Sequence, residues 1–202
     1  MKNKNTMKRI SFKDSNFLYI TASVLNGTKT MTRRAVIEQV ERDAMVYAEG
    51  KSEFTRVKFE YILKHSPYKV GDVVAIQQAY KEVYKELFGA TITQTALKRT
   101  AGWWNKMFVK AELMPHHIRI TDVRVERLQL IPYEDCLREG VVRYYGKNGD
   151  DGLHIIVGYT FSGGSIYDTP RKAFAALIDK VSGRGTFDSN PLVWCYSFEL
   201  VD

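Results

Sequence analysis

The stretch Val24-Leu-Asn-Gly-Thr-Lys-Thr-Met-Thr-Arg-Arg34 decides how the rest of the chain is read. An apolar run stops at Gly27 and gives way to Thr28, Thr30 and Thr32 interleaved with Lys29, then to Arg33 and Arg34. Gly27 suits the position just past a helix end, where a left-handed backbone costs glycine nothing. The alternation over residues 30–34 predicts a strand with Thr30, Thr32 and Arg34 on one face and Met31 and Arg33 on the other. If Met31 packs inward, the cleft receives Thr32 and Arg34. Lys29 converges on Thr32 only if it still belongs to the turn before the strand.

Working outward, residues 9–12 read as a short strand and 17–26 as a helix closed by Gly27. Residues 35–68 are mixed, with 52–65 helical and Pro67 as the stop. Gly71-Asp72 opens a mostly apolar strand running to Tyr80. Residues 108–111 and 116–128 read as further strands, and in the second the apolar face switches near Asp122, so a bulge or bend is expected there. Residues 132–139 form a helix with Pro132 at its start and Gly140 just past its end. Thr169-Pro170 is an N-cap followed by proline at the first helical position. It launches an amphipathic helix over 171–181 with Phe174, Leu177, Ile178 and Val181 at helical spacing. A glycine loop at 182–185 precedes a closing strand at 192–200. Two segments, about 81–107 and about 141–168, fit no element pattern and read as insertions, the second polar and glycine-rich around residues 146–152 and 162–165. The whole describes one α+β domain over 1–202, a small mixed or antiparallel β-barrel with flanking helices.

The 202 residues are 45% hydrophobic, enough to bury a core, and carry a formal net charge of +7. That charge is uneven. Residues 1–34 hold eight basic side chains, from Lys2 and Lys4 to Arg34, against Asp14 alone, while the remaining 22 basic and 22 acidic residues cancel. A basic amino-terminal segment on a neutral body favours an anionic partner, nucleic acid first. A solvated tail followed by an edge strand explains the same charges. Cys136 and Cys195, with no CxxC spacing, are the usage of a reducing compartment, and no run approaches a membrane span. A cytoplasmic protein without membrane association is the expectation.

No cofactor fingerprint or metal-ligand spacing is present. His116 and His117 are adjacent and point to opposite faces of a strand, and His65 and His154 have no partnering ligand. The pair Trp103-Trp104 invites a base-stacking role, but apolar cover for the insertion accounts for it better. The remaining constellation is Lys29, Thr32 and Glu139. A hydroxyl, an amine and a carboxylate are the minimum set for amide hydrolysis with a threonine nucleophile, provided the lysine can act as base. Glu139 would end its helix, where the dipole disfavours a carboxylate unless a cation such as Lys29 joins it.

Residues 25–34 resemble the GxKxxxxR signature of the ASCH domain, a PUA-like barrel superfamily. The order continues through Gly71-Asp72, Arg119 to Leu128, the helix ending Glu139-Gly140, and the closing Asn190-Pro-Leu-Val-Trp194 strand, and residues 174–194 look like the carboxy-terminal region of bacterial and prophage ASCH proteins. The resemblance implies a PUA-like barrel that binds RNA, a nucleotide or a modified nucleoside in a cleft beside the signature loop, with Gly27, Lys29, Arg33 and Arg34 as anion-binding residues. It also implies an alternative: one ASCH branch hydrolyses N4-acetylcytidine, and its lysine, threonine and glutamate fall on Lys29, Thr32 and Glu139. This chain departs from longer relatives in having Gln77-Gln-Ala-Tyr80 where they carry an Arg-Glu-Thr-Trp-like run.

Overall fold

The computed structural model describes residues 7–15, 18–88, 98–148 and 153–202. In chain order these form β1 (Lys8–Ile10), β2 (Asp14–Ser15), β3 (Leu18–Tyr19), α1 (Ile20–Leu25), β4 (Met31–Ala35), α2 (Glu38–Ala48), α3 (Phe54–Lys64), β5 (Val73–Ile76) and α4 (Tyr80–Phe88). They continue with β6 (His117–Arg127), α5 (Tyr133–Arg138), β7 (Val142–Asn148), β8 (Leu153–Thr160), α6 (Pro170–Ser182), α7 (Thr186–Ser189) and β9 (Leu192–Leu200). The chain is α+β.

The main sheet has five strands in the order β1-β5-β6-β9-β4, parallel between β1 and β5 and antiparallel elsewhere. Among the described residues it is not closed into a barrel by hydrogen bonds, and β1 and β4 are its edges. An arginine side chain spans the seam: Arg34 Nη2 donates to the carbonyl of Ser11, just past β1, and its guanidinium lies over Phe12 with Cζ 5.6 Å from the ring centroid.

The bulge expected near Asp122 sets which side chains face where. The β6–β9 register shifts between Ile120 and Asp122. Ile118 and Ile120 lie in the core before it, and Val123 and Val125 pack against the core after it. The parity change turns Asp122, Arg124 and Glu126 to the opposite face. β9 is buried over seven successive residues because both its faces are covered, and its Trp194 Nε1 donates to the Ile62 carbonyl of α3 at 3.0 Å.

Several sequence expectations are corrected. The helix expected over 17–26 is shorter, with β3 preceding it, and Phe17 lies outside the described residues. Residues 35–68 hold two helices instead of one. Residues 108–111 are no strand but run from the end of one 3₁₀ turn (Lys106–Phe108) to the start of another (Ala111–Leu113). The first insertion carries α4 and a small core of its own, in which Trp103 packs with Tyr80, Val83 and Val109 on Ala75 of β5, while Trp104 stays exposed. The second is a β7–β8 hairpin, with 149–152 outside the described residues. No helix among the described residues is long and apolar enough to cross a membrane.

Candidate functional site

Gly27 takes φ 76° immediately after the α1 cap residue Asn26, and the chain leaves the turn with Lys29 still ahead of β4. Its amide groups are all engaged: Thr28 N with Asn26 Oδ1 at 3.0 Å, Lys29 N with the Ser23 carbonyl at 2.8 Å, and Thr30 N with the Arg138 carbonyl at 2.9 Å. The turn therefore places Lys29 against the end of α5. Gly27 is exposed and does not line the cavity. It shapes the turn, with its own amide bonded to the Val24 carbonyl at 3.1 Å.

Lys29 Nζ donates to Glu139 Oε2 at 2.6 Å and to the Glu139 main-chain carbonyl at 2.8 Å, across 110 residues of sequence. The ammonium thus satisfies both the carboxylate and an otherwise open carbonyl at the helix end, which is why a carboxylate is tolerated there. Gly140, at φ 102°, packs against the lysine stem. Burial lowers the Lys29 pKa from its usual value. Glu139 opposes the shift, and Arg34 and Arg33 reinforce it.

β4 sorts its side chains as the alternation predicts. Thr32 and Arg34 pair with Tyr196 and Trp194 of β9 and share their face, whereas Met31 and Arg33 sit on the face covered by α5 and α6. Arg33 is not presented to an anionic ligand. Its side chain is fully buried, with Nε and Nη2 on Glu126 Oε1 at 3.0 and 2.7 Å, Nη2 on Asp135 Oδ2 at 2.8 Å, and Nη1 on Glu139 Oε1 at 3.0 Å. Burial works against its charge, but Glu139 with Asp135 and Glu126 overrides it, so its pKa is raised. Asp135 is depressed below the usual carboxylate range: desolvation opposes this, and hydrogen bonds from Arg33 and Arg124 outweigh it.

One cavity of about 360 Å³ opens at the β1–β4 seam. Lys29, Thr32, Arg33, Arg34 and Glu139 line it together with the apolar Ile20, Leu177, Ile178 and Val181, although the Arg33 side chain itself is fully buried. Lys13, Asp14 and Lys106 also line it. Lys13 Nζ donates to the Val181 carbonyl at 2.9 Å, at the end of α6, and Lys106 to the Phe12 carbonyl and to Asp14 at 3.0 Å. The first insertion therefore contributes a side chain to the cavity wall.

Lys29 and Glu139 are bonded to each other, and Thr32 and Arg34, the two residues expected to face the cleft, line the same cavity. Arg33 borders the same cavity with its guanidinium spent on Glu126, Asp135 and Glu139, and Gly27 does not line it. Much of the basic cluster in residues 1–34 is used internally: Lys8 pairs with Asp72 at 2.6 Å, Arg9 donates to the Val109 carbonyl, and Lys13, Lys29, Arg33 and Arg34 are engaged as above. Lys2 and Lys4 lie outside the described residues. Arg34 has no carboxylate within ion-pair distance among the described residues, and its Nε is buried without an acceptor there. Sequence reading missed Glu126 and Asp135, because no local spacing ties them to Arg33. No group of three or more His, Cys, Asp or Glu side chains suited to a metal ion occurs among the described residues. Comparison of the chain with protein-family models, curated proteins and solved structures returned no match.

Proposed function

We propose that this cavity is the active site of an amidohydrolase acting on a small base-bearing amide, an acylated nucleoside such as N4-acetylcytidine. The observation that carries the reading is the convergence of Lys29, Thr32 and Glu139 on one partly enclosed cavity, with the lysine buried and its pKa lowered. A volume of about 360 Å³ is at the small end of ligand pockets and suits a single nucleoside-sized molecule, not a strand. The resemblance to ASCH proteins, which by itself implies binding first, supports this choice through the one branch whose lysine, threonine and glutamate fall on Lys29, Thr32 and Glu139. Within that resemblance the open sheet is a PUA-like barrel left unzipped at the seam that Arg34 spans.

In this reading Thr32 Oγ1 attacks the amide carbon and its proton passes to Lys29 Nζ. The C–N bond then breaks, and Lys29 returns the proton to the leaving nitrogen. Water releases the acyl group from Thr32 as a carboxylic acid. Glu139 orients the amine. The backbone amides after Gly27 are already bonded and do not serve the oxyanion; Arg34, a cation on the cavity wall without a carboxylate partner among the described residues, supplies that positive charge.

Simple RNA binding draws less support, because Arg33 is enclosed by carboxylates and Lys13 and Lys106 are turned onto carbonyls. The test is acetate release from N4-acetylcytidine by the folded protein. Lys29→Gln is expected to lower kcat on the order of a hundredfold or more, the usual weight of a general base. Salt-sensitive RNA affinity without any acetate release would replace the hydrolase with the binder.

A further inference from the structure

The sequence places Arg33 beside Arg34 as a second ligand-facing cation, and the structure gives it different work. We propose that Arg33 is the positioning residue of this site: it holds Glu139 as a charge-compensated acceptor turned toward Lys29, so that the amine can give up its proton without leaving a buried carboxylate alone. This rests on the hydrolase reading for its catalytic meaning, but the arrangement itself stands on distances.

Each carboxylate oxygen of Glu139 has its own cation, Lys29 on Oε2 at 2.6 Å and Arg33 on Oε1 at 3.0 Å. A lysine paired with a lone buried carboxylate keeps its proton, because losing it strands the negative charge in a poorly solvating site. Arg33 removes that obstacle, since a guanidinium stays charged throughout the physiological range. When Lys29 becomes neutral, Glu139 and Arg33 remain a complete pair.

Donor counting points the same way. A neutral amine has two N–H groups and one lone pair, and Lys29 already has two acceptors, Glu139 Oε2 and the Glu139 carbonyl. With both N–H groups spent on Glu139, the lone pair is left for the cavity that Thr32 lines. Arg33 in turn has no freedom to swing: Glu126 from β6 and Asp135 from α5 hold the other donors of its planar fork, and Asp135 is also bound by Arg124 at 3.0 Å. A lysine at position 33 would lack that fork geometry. The charged groups around Lys29 are Glu139 from α5 and Arg33 and Arg34 from β4, with Lys13, Asp14 and Lys106 elsewhere on the cavity wall. Of these, Arg33 combines proximity to Lys29 with a direct bond to Glu139.

Arg33→Gln alone leaves three carboxylates facing one another, so a shift of the Lys29 titration would be mixed with a loss of stability. The test therefore uses Arg33→Gln/Glu126→Gln, which removes one charge of each sign, with Glu126→Gln as control. The first readout is the Lys29 titration, followed through its side-chain carbon and nitrogen NMR shifts and assigned with Lys29→Arg. The second is the acid limb of kcat/KM against pH for acetate release. The proposal expects the Lys29 midpoint to rise by about one pH unit or more in the double variant, roughly a tenfold loss of free amine at a given pH below it. It expects the acid limb to follow, and the control to stay at the wild-type midpoint. A folded double variant with an unmoved Lys29 midpoint overturns the assignment, because a purely structural Arg33 would change stability alone. If no acetate is released by any form, the hydrolase reading fails, and the NMR titration still decides the role of Arg33.

Discussion

Replacing Arg33 by Met isolates the energetic core of the site. The substitution roughly keeps the volume of the aliphatic stem and deletes bonds to three carboxylates whose side chains are 16%, 8% and 2% exposed at Glu126, Asp135 and Glu139. Breaking a buried ion pair from one side costs about 3–5 kcal/mol, because the surviving charge stays desolvated. Lys29 still serves Glu139, and Arg124 still serves Asp135, so much of the loss falls on Glu126. With a urea slope of roughly 2 kcal/mol/M, the unfolding midpoint should fall by about 2 M. The acid dependence adds a signature. In the wild type the Asp135 pKa is depressed in the fold, so its contribution to stability is present above the unfolded carboxylate value and is lost as pH falls through the folded one. Arg33→Met removes part of that depression, so the gap between variant and wild type should narrow as pH is lowered through the carboxylate range. Urea titrations at several pH values measure both effects. A neutral-pH midpoint within about 0.5 M of wild type would show that the carboxylates are not held by Arg33, and the account of the site would fail.

Two further predictions concern the frame around the site. Gly140→Ala forces a Cβ onto a backbone at φ 102°, 3.6 Å from the Lys29 Cβ, and should cost more than about 1 kcal/mol in thermal or urea unfolding while weakening any ligand binding at Lys29. Thr169→Ala removes the side-chain acceptor for Lys172 N at the start of α6 and should cost about 1 kcal/mol with little effect on catalysis, which separates helix capping from cavity chemistry.

How much of this was legible beforehand depended on whether the cause was local. The strand at β4, the bulge in β6, the cap and proline of α6 and the span of β9 all follow from alternation, capping chemistry or apolar spacing within a few residues. The Lys29–Glu139 pairing came from chemical complementarity and a family resemblance, and the two side chains do meet. What escaped was non-local. Alternation correctly put Arg33 on the face away from Thr32, yet nothing near it announced that Glu126, Asp135 and Glu139 wait there, 93 to 106 residues further on. The basic residues of 1–34 favour an anionic partner by composition, yet those among the described residues are largely spent on backbone carbonyls and carboxylates that only the folded chain brings close. The helix at 38–48 was hidden because its buried stripe is thin, with Ala44 and Ala48 as its fully covered residues.

The central claim is that the Thr32 hydroxyl carries the acyl group during turnover. Acid-quenched mass spectrometry of the protein mixed with N4-acetylcytidine tests it most directly. The account predicts an acetyl group on the peptide containing Thr32 while acetate accumulates, and neither adduct nor turnover in Thr32→Ala. Acetate release that continues undiminished in Thr32→Ala, with no acyl group on the wild-type peptide, would contradict it.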